Sequence, residues 1–364
     1  MEPKDETKKE KYGGKQMAGI LQKYFPMIRT RREILEEIFE DERLSAVYLG
    51  WSEEQRREFL NFCTGNKGVK VLYDSFFKEI MNPENTPERL EEFLSLVLGQ
   101  RVKILKVIPN DSVRIADECS LVVMDIVIEL EDHSIANVEV QKMGYRFPGQ
   151  RSACYSSDLL LRQYKRVRGE RGKGFSYRDI QKVYTIVLYE KSPAEFRDFP
   201  CDYIHRFSQS SDTGLEIDLL QEYCFIALDI FTGIVQNKGI RNKLEAWLLF
   251  FSTDDPTKIE TLLESYPEFK ELYEEIYELC RNVEKVMEMF SKELKELDRN
   301  TVQYMIDEMQ EEIDGMRREL SDKDTVLEER KCTIDTQKEM LDKRDEEIAR
   351  LKRQLKELQN TSQE

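Results

Sequence analysis

The stretch VMDIVIELEDHSIANVEVQK (Val123–Lys142) decides the fold. Two apolar runs flank the polar residues of Glu131 to Ser134, the pattern of a β-hairpin. The anomaly is that Asp125 sits in the first run and Glu139 and Gln141 sit in the second. Polar side chains inside apolar strands are costly to bury unless they are paired or put to use. Strand alternation puts Glu139 and Gln141 on one face, with Val138 and Val140 on the other. A turn centred on Asp132 and His133 sets Asp125 opposite Glu139 or one residue away. Two carboxylates can then converge with Gln141 beside them, an oxygen set that suits a hard cation such as Mg²⁺, with Mn²⁺ as its substitute. The competing reading is an edge strand whose polar residues face solvent, and the residues alone leave both readings open.

The order of elements around the hairpin is α/β. VLYDSFFKEI (71–80) and TPERLEEFLSLVLG (86–99) read as helices, the second with Thr86 as N-cap, Pro87 at its first position and Gly99 past its end. Strand-like runs follow at 102–108, 120–130 and 134–141, then a helix over 150–167, then the β-branched run KVYTIVLY (182–189). YCFIALDIF (223–231) offers a further strand. The polar tail of the first 15 or so residues is expected to be disordered. TGNKG (64–68) marks a candidate boundary after an N-terminal helical segment.

The formal charge of −16 argues at first against a polyanionic partner, but charge is unevenly spread. Between Lys142 and Lys182 there are eleven Lys/Arg against three Asp/Glu, a local excess of eight positive charges directly after the hairpin. Arg151 and Tyr155 lie four apart and share a helix face. Arg162, Lys165, Arg166 and Arg168 continue the charge and are candidates for holding DNA phosphates. A metal beside a cationic helix fits a phosphodiester substrate. The seven cysteines include no CxxC pair and the first residues lack an apolar core, so free thiols in a reducing cytoplasm are expected. No apolar run is long enough for a membrane span. The two histidines, His133 and His205, lack further ligands at zinc spacing, and GERGKG (169–174) lacks the spacing of a phosphate loop.

From Tyr304 onward Ile306, Ile313, Leu320, Leu327, Ile334, Leu341, Ile348 and Leu355 recur every seven residues. The d positions are Met309, Met316, Lys323, Arg330, Gln337, Arg344, Leu351 and Leu358, apolar in four of eight. A coiled coil with a weak central seam is expected, and through it a homodimer. A lone charged helix is the alternative.

The spacing D-x₁₃-E-x-Q on a hairpin, within an α-β-β-β-α-β order, resembles the PD-(D/E)xK nucleases. YDSFFKEIMNPE (73–84), MDIVIELEDHSIANVEVQKMGYRFPGQRSACYSSDLLLRQYKR (124–166) and NTVQYMIDEMQEEI (300–313) resemble more closely the bacterial transposases of that superfamily, also called recombination-promoting nucleases. The resemblance spans roughly residues 50–315. It implies a metal-dependent DNA endonuclease in which Asp125 and Glu139 are metal ligands. Gln141 stands where the superfamily usually has lysine, and Asp74 falls on a helix that carries an aspartate in this branch. Asp74 would support the metal or cap its helix. A lysine orients or polarises the attacking water with its charge, whereas glutamine can only hydrogen-bond it. A catalytically weak DNA-binding or scaffold protein, oligomerising through the coiled coil, is the alternative function. The organisation expected is a tail and helical segment (1–68), a nuclease-like core (69–235), a helical region (236–300) and a coiled coil (301–360).

Overall fold

The fold is taken from a computed structural model, which describes residues 20–108, 126–142 and 148–361. The polar N-terminal tail and Asp125 lie outside the described residues.

After a 3-10 turn at Ile20–Lys23 come three α-helices: α1 (Arg31–Glu40), α2 (Glu42–Gly50) and α3 (Glu53–Cys63). The first and third start at capping boxes, Thr30 with Glu33 and Ser52 with Gln55, which satisfy backbone N–H groups otherwise left without partners. Helix α4 (Asp74–Ile80) and helix α5 (Pro87–Leu98) follow. The latter has Pro87 in its first turn and ends at Gly99, whose φ of 69° is the left-handed conformation glycine adopts cheaply. Thr86 holds its N-cap position without a side-chain capping bond.

The sheet is built from β1 (Ile104–Val107), β2 (Ile126–Leu130) and β3 (Ile135–Gln141), then helix α6 (Pro148–Arg171), β4 (Val183–Tyr189), β5 (Ile204–Phe207) and β6 (Gln221–Ala227). Its order is β1-β2-β3-β4-β6-β5. The first three strands pair antiparallel, β4 pairs parallel to both β3 and β6, and β5 closes the edge antiparallel to β6. The hairpin register runs from Ile126 opposite Val138 to Glu129 opposite Ile135. Its turn puts His133 at φ 66°. Every residue of β4 is buried, as a central parallel strand covered on both faces must be.

Helices α7 (Leu228–Lys238), α8 (Lys243–Ser252), α9 (Pro256–Ser265), α10 (Phe269–Leu279) and α11 (Val283–Thr361) complete the described chain. The 223–231 stretch divides between the end of β6 and the start of α7. The short, charge-containing β5 carried no readable strand pattern. Helix α11 begins some twenty residues before the heptads do. Val283, Val286, Met287 and Phe290 are buried at helical spacing, and neither proline nor glycine separates them from Ile306.

One face of the sheet, with Ala136, Val138, Ile186, Leu188 and Ile226, packs on a core shared by residues from Leu21 to Phe290. Chain on both sides of the Thr64–Gly68 turn enters that core, and Gly68 N–H donates to the Asp254 carbonyl at 2.7 Å. The other face carries Val127, Ile135 and Val183 against Leu159 of α6. The chain divides into two compact units, residues 1–301 and residues 302–364, the second containing the rest of α11. In that second unit Leu320, Leu327, Ile334 and Leu341 are about 60% exposed.

Candidate functional site

The face of β3 that carries Ile135 turns toward α6, so Asn137, Glu139 and Gln141 point the same way. All three are buried, Glu139 and Gln141 at 5% exposure each. Asn137 Nδ2 donates to Glu139 Oε1 at 3.1 Å. Their register partners on β4 are Thr185, Val187 and Tyr189. Tyr189 is fully buried, and burial pushes its hydroxyl well above the usual range; the guanidinium of Arg151 opposes that rise, and the charge of Glu139 adds to it. The first turns of α6 therefore cover the end of β3 at which Glu139 and Gln141 lie.

This layer is unusually polar for the space between a sheet and a helix. Asn137 Oδ1, Gln141 Oε1 and Thr185 Oγ1 are buried and have no hydrogen-bond partner among the described residues, and the buried Ser152 and Tyr189 hydroxyls lie beside one another. Each unpartnered atom costs about 1–3 kcal/mol unless a ligand satisfies it. A buried carboxylate with neutral oxygen donors beside it is the donor set that hard divalent cations take. Among the described residues no three His, Cys, Asp or Glu side chains form a metal cluster. Asp125, the second expected ligand, is outside them; it is the covalent neighbour of Ile126, whose partner across the hairpin is Val138, next to Glu139.

Lys142, one residue beyond β3, reaches a different set of groups. Its ammonium meets the Glu293 carboxylate of α11 and lies 5.6 Å from the centre of the Tyr73 ring. Glu293 also accepts from the backbone N–H of Asp74 at 3.0 Å. Burial pushes the Glu293 carboxyl above its usual range, against the pull of Lys142. Glu190 N–H donates to the Gln141 carbonyl at 2.9 Å, and burial raises the Glu190 carboxyl likewise, against Lys70 and Lys142. Tyr73, not Asp74, holds the N-cap position of α4, so the capping role is excluded. The Asp74 carboxylate pairs with Lys78 at 2.8 Å.

The basic residues of α6 separate into distinct groups. Arg151 lies over the ring of the buried Tyr155 at 5.5 Å, at the Glu139 end. Arg162 pairs with Asp158 at 2.7 Å. Arg166 pairs at 2.5 Å with Glu129, which is 3% exposed and also holds Lys106 at 3.1 Å and His133 at 2.9 Å. Burial works to raise the Glu129 carboxyl, but these partners prevail and hold it below the usual range. Lys165 and Arg168 are exposed, Arg168 lying over the Tyr164 ring at 5.5 Å. The Glu129 cluster was not expected, although its signal was in the sequence: an acid in the otherwise apolar run IVIEL.

A family model described as PD-(D/E)XK nuclease family transposase matches residues 71–309. The chain belongs to that family. No curated protein and no solved structure matched. The matched span of the transposase family contains Asp74, Asp125, Glu139, Gln141 and all of α6, and it ends inside α11. The mixed six-stranded sheet, with an antiparallel β1-β2-β3 and a parallel β4 reached through α6, is consistent with the nuclease fold of the family. The family points to a nuclease or transposase-type function acting on phosphodiester bonds.

Proposed function

We propose that this PD-(D/E)XK transposase is a Mg²⁺-dependent DNA endonuclease of the transposition or recombination type, able to use Mn²⁺ as well. The observation that carries this reading is the buried pair Glu139 and Gln141 on one face of β3, with Gln141 Oε1 unpartnered among the described residues under the first turns of α6. Asp125 and Glu139 would hold the cation. A divalent ion in such a site lowers the pKa of bound water and offsets charge on the phosphoryl group. The neutral amide of Gln141 can accept a hydrogen bond from a water and fix its orientation, but it adds no positive charge. Asn137, donating to Glu139, holds that carboxylate in one orientation. Arg151 supplies positive charge at the same end of the sheet, and Lys165 and Arg168 extend the surface along α6 for the DNA backbone. No helix of the described residues is long and apolar enough to cross a membrane, and a cytoplasmic protein fits the free thiols. The chain is taken to act as a dimer through the heptads of α11.

The test is nicking of supercoiled plasmid with Mg²⁺ or with chelator, for the wild type beside Asp125→Asn and Glu139→Gln. Cleavage should require the metal and be lost in both variants, with unchanged circular dichroism. Wild-type cleavage by either variant removes the site assignment. A second reading, a DNA-binding scaffold without cleavage, draws on the uncharged Gln141, which brings no positive charge to the attacking water. It requires that DNA binding persist while no metal supports nicking.

A further inference from the structure

We infer that the apolar stripe of α11 is covered by a second copy of this chain running antiparallel, in one register centred on residue 332. The pairing is independent of the nuclease reading, and most of the stripe lies beyond the family-matched residues. The stripe needs a cover: Ile313, Leu320, Leu327, Ile334, Leu341 and Ile348 are 40–62% exposed and recur without a break. The side chains between them choose the orientation.

In a parallel dimer each position faces its own copy. Lys323, Arg330, Gln337 and Arg344 occupy four successive d positions, so three layers of the seam would set like charges against each other. In an antiparallel dimer a positions face d positions instead. With the twofold axis at residue 332, Leu320 faces Arg344, Lys323 faces Leu341, Leu327 faces Gln337, and Arg330 faces Ile334. Every cation then lies against an aliphatic side chain, along which its methylene stem can pack while the charge reaches water. Beyond this central section Ile313 faces Leu351 and Met316 faces Ile348, so the outer layers are dry on both sides.

The flanking positions agree with the same register. Arg317 faces Asp345 of the second copy, Asp324 faces Lys338, and Val326 faces Met340 beside the weakened centre. Glu319 facing Glu347, and Lys331 facing itself one residue from the axis, oppose the pairing. Sliding one copy by a heptad in either direction puts Arg317 against Lys338 or Lys352 and removes the favourable match. The polar d positions therefore weaken the seam but select its direction.

Disulfide trapping in the full chain tests the geometry, with the exposed Cys154, Cys201 and Cys332 changed to Ser. Lys331→Cys places the new thiol beside its own copy only in the antiparallel register. Leu320→Cys does so only in a parallel dimer, because the antiparallel pairing separates the two by about 36 Å along the axis, at 1.5 Å per residue. Mild oxidation should convert most of the Lys331→Cys protein to a covalent dimer and leave Leu320→Cys monomeric on a non-reducing gel. Trapping of Leu320→Cys overturns the orientation. Trapping of neither, with sedimentation of the unmodified chain as a monomer at micromolar concentration, overturns the second copy itself. A spin label at Ser321 gives an independent reading that needs no seam residue changed: about 35 Å between labels supports the pairing, and under about 20 Å refutes it.

Discussion

Replacing Lys142 by methionine tests whether the end of β3 is held as described. The Lys142 and Glu293 side chains are 6% and 1% exposed, so neither charge can be rehydrated when its partner is removed. Losing one member of a buried ion pair costs about 3–5 kcal/mol, because the other charge is left uncompensated. The Asp74 N–H still donates to Glu293 in the variant, which places the expected loss near the lower bound, about 3 kcal/mol. At about 2 °C per kcal/mol for a unit of this size, Tm should fall by about 6 °C. The pH dependence adds a second criterion. Burial already raises the Glu293 carboxyl above 4.5, and without Lys142 it must rise further. A carboxyl with a raised folded pKa binds its proton more tightly in the native state than in the unfolded chain. Its burden on stability is therefore present at high pH and is relieved as pH falls toward 4.5. The deficit of Lys142→Met should shrink as pH is lowered toward 4.5. Urea denaturation followed by tryptophan fluorescence suits the purpose, since Trp51 packs on Phe290 of α11 at 5.1 Å, one turn from Glu293. Lys142→Met with Glu293→Leu should recover most of the loss. A deficit under about 1 kcal/mol, or one that is constant with pH, refutes the buried pair.

Four further outcomes are expected. Lys165→Ala with Arg168→Ala should weaken DNA binding and reduce the slope of log K against log salt by up to about 1.8, at about 0.9 per phosphate contact. Arg166→Ala should instead lower stability by about 1–3 kcal/mol, since it deprives the buried Glu129 of a partner, and titrations at several salt concentrations separate the two effects. Gln141→Ala should slow plasmid nicking while leaving metal affinity by calorimetry in place, and Gln141→Lys should retain or raise the rate; an unslowed alanine variant denies the side chain any part in the reaction. The Glu129 carboxyl is held below its usual pKa, so its contribution to stability is present above about 4.5 and is lost as pH falls through the folded value. Glu129→Gln should flatten that acid limb in a series of urea midpoints, and an unchanged limb would show that the carboxylate gains nothing from its partners.

Local pattern was enough to place most of the elements. The alternation in Ile135–Gln141, the β-branched run of β4 and the Pro87 and Gly99 signals of α5 each act over a few residues, and the structure has all of them. Glu139 and Gln141 were legible as a pair because strand alternation is a covalent property of the backbone. The seven-residue spacing was legible too, since it needs no knowledge of a partner, and the structure has it as one continuous helix. Tertiary structure decided the rest. Glu293 lies 151 residues after Lys142, and no spacing rule links them; only the packing of α11 against α4 and the end of β3 brings them together. The same holds for Arg166, which reads as a free cation in a basic run until folding sets Glu129 against it; Arg162, by contrast, pairs with Asp158 one turn earlier on the same helix, a spacing of four that the sequence already carries. The N-terminal helices looked separable at TGNKG, yet they enter the core beside the sheet, because apolar faces on short helices say that burial is needed without saying against what. Sequence determined which residues must be hidden and which way they point along each element. The partners that bury Glu293 with Lys142 and Glu129 with Arg166 were set by contacts between distant segments, which a one-dimensional pattern does not encode.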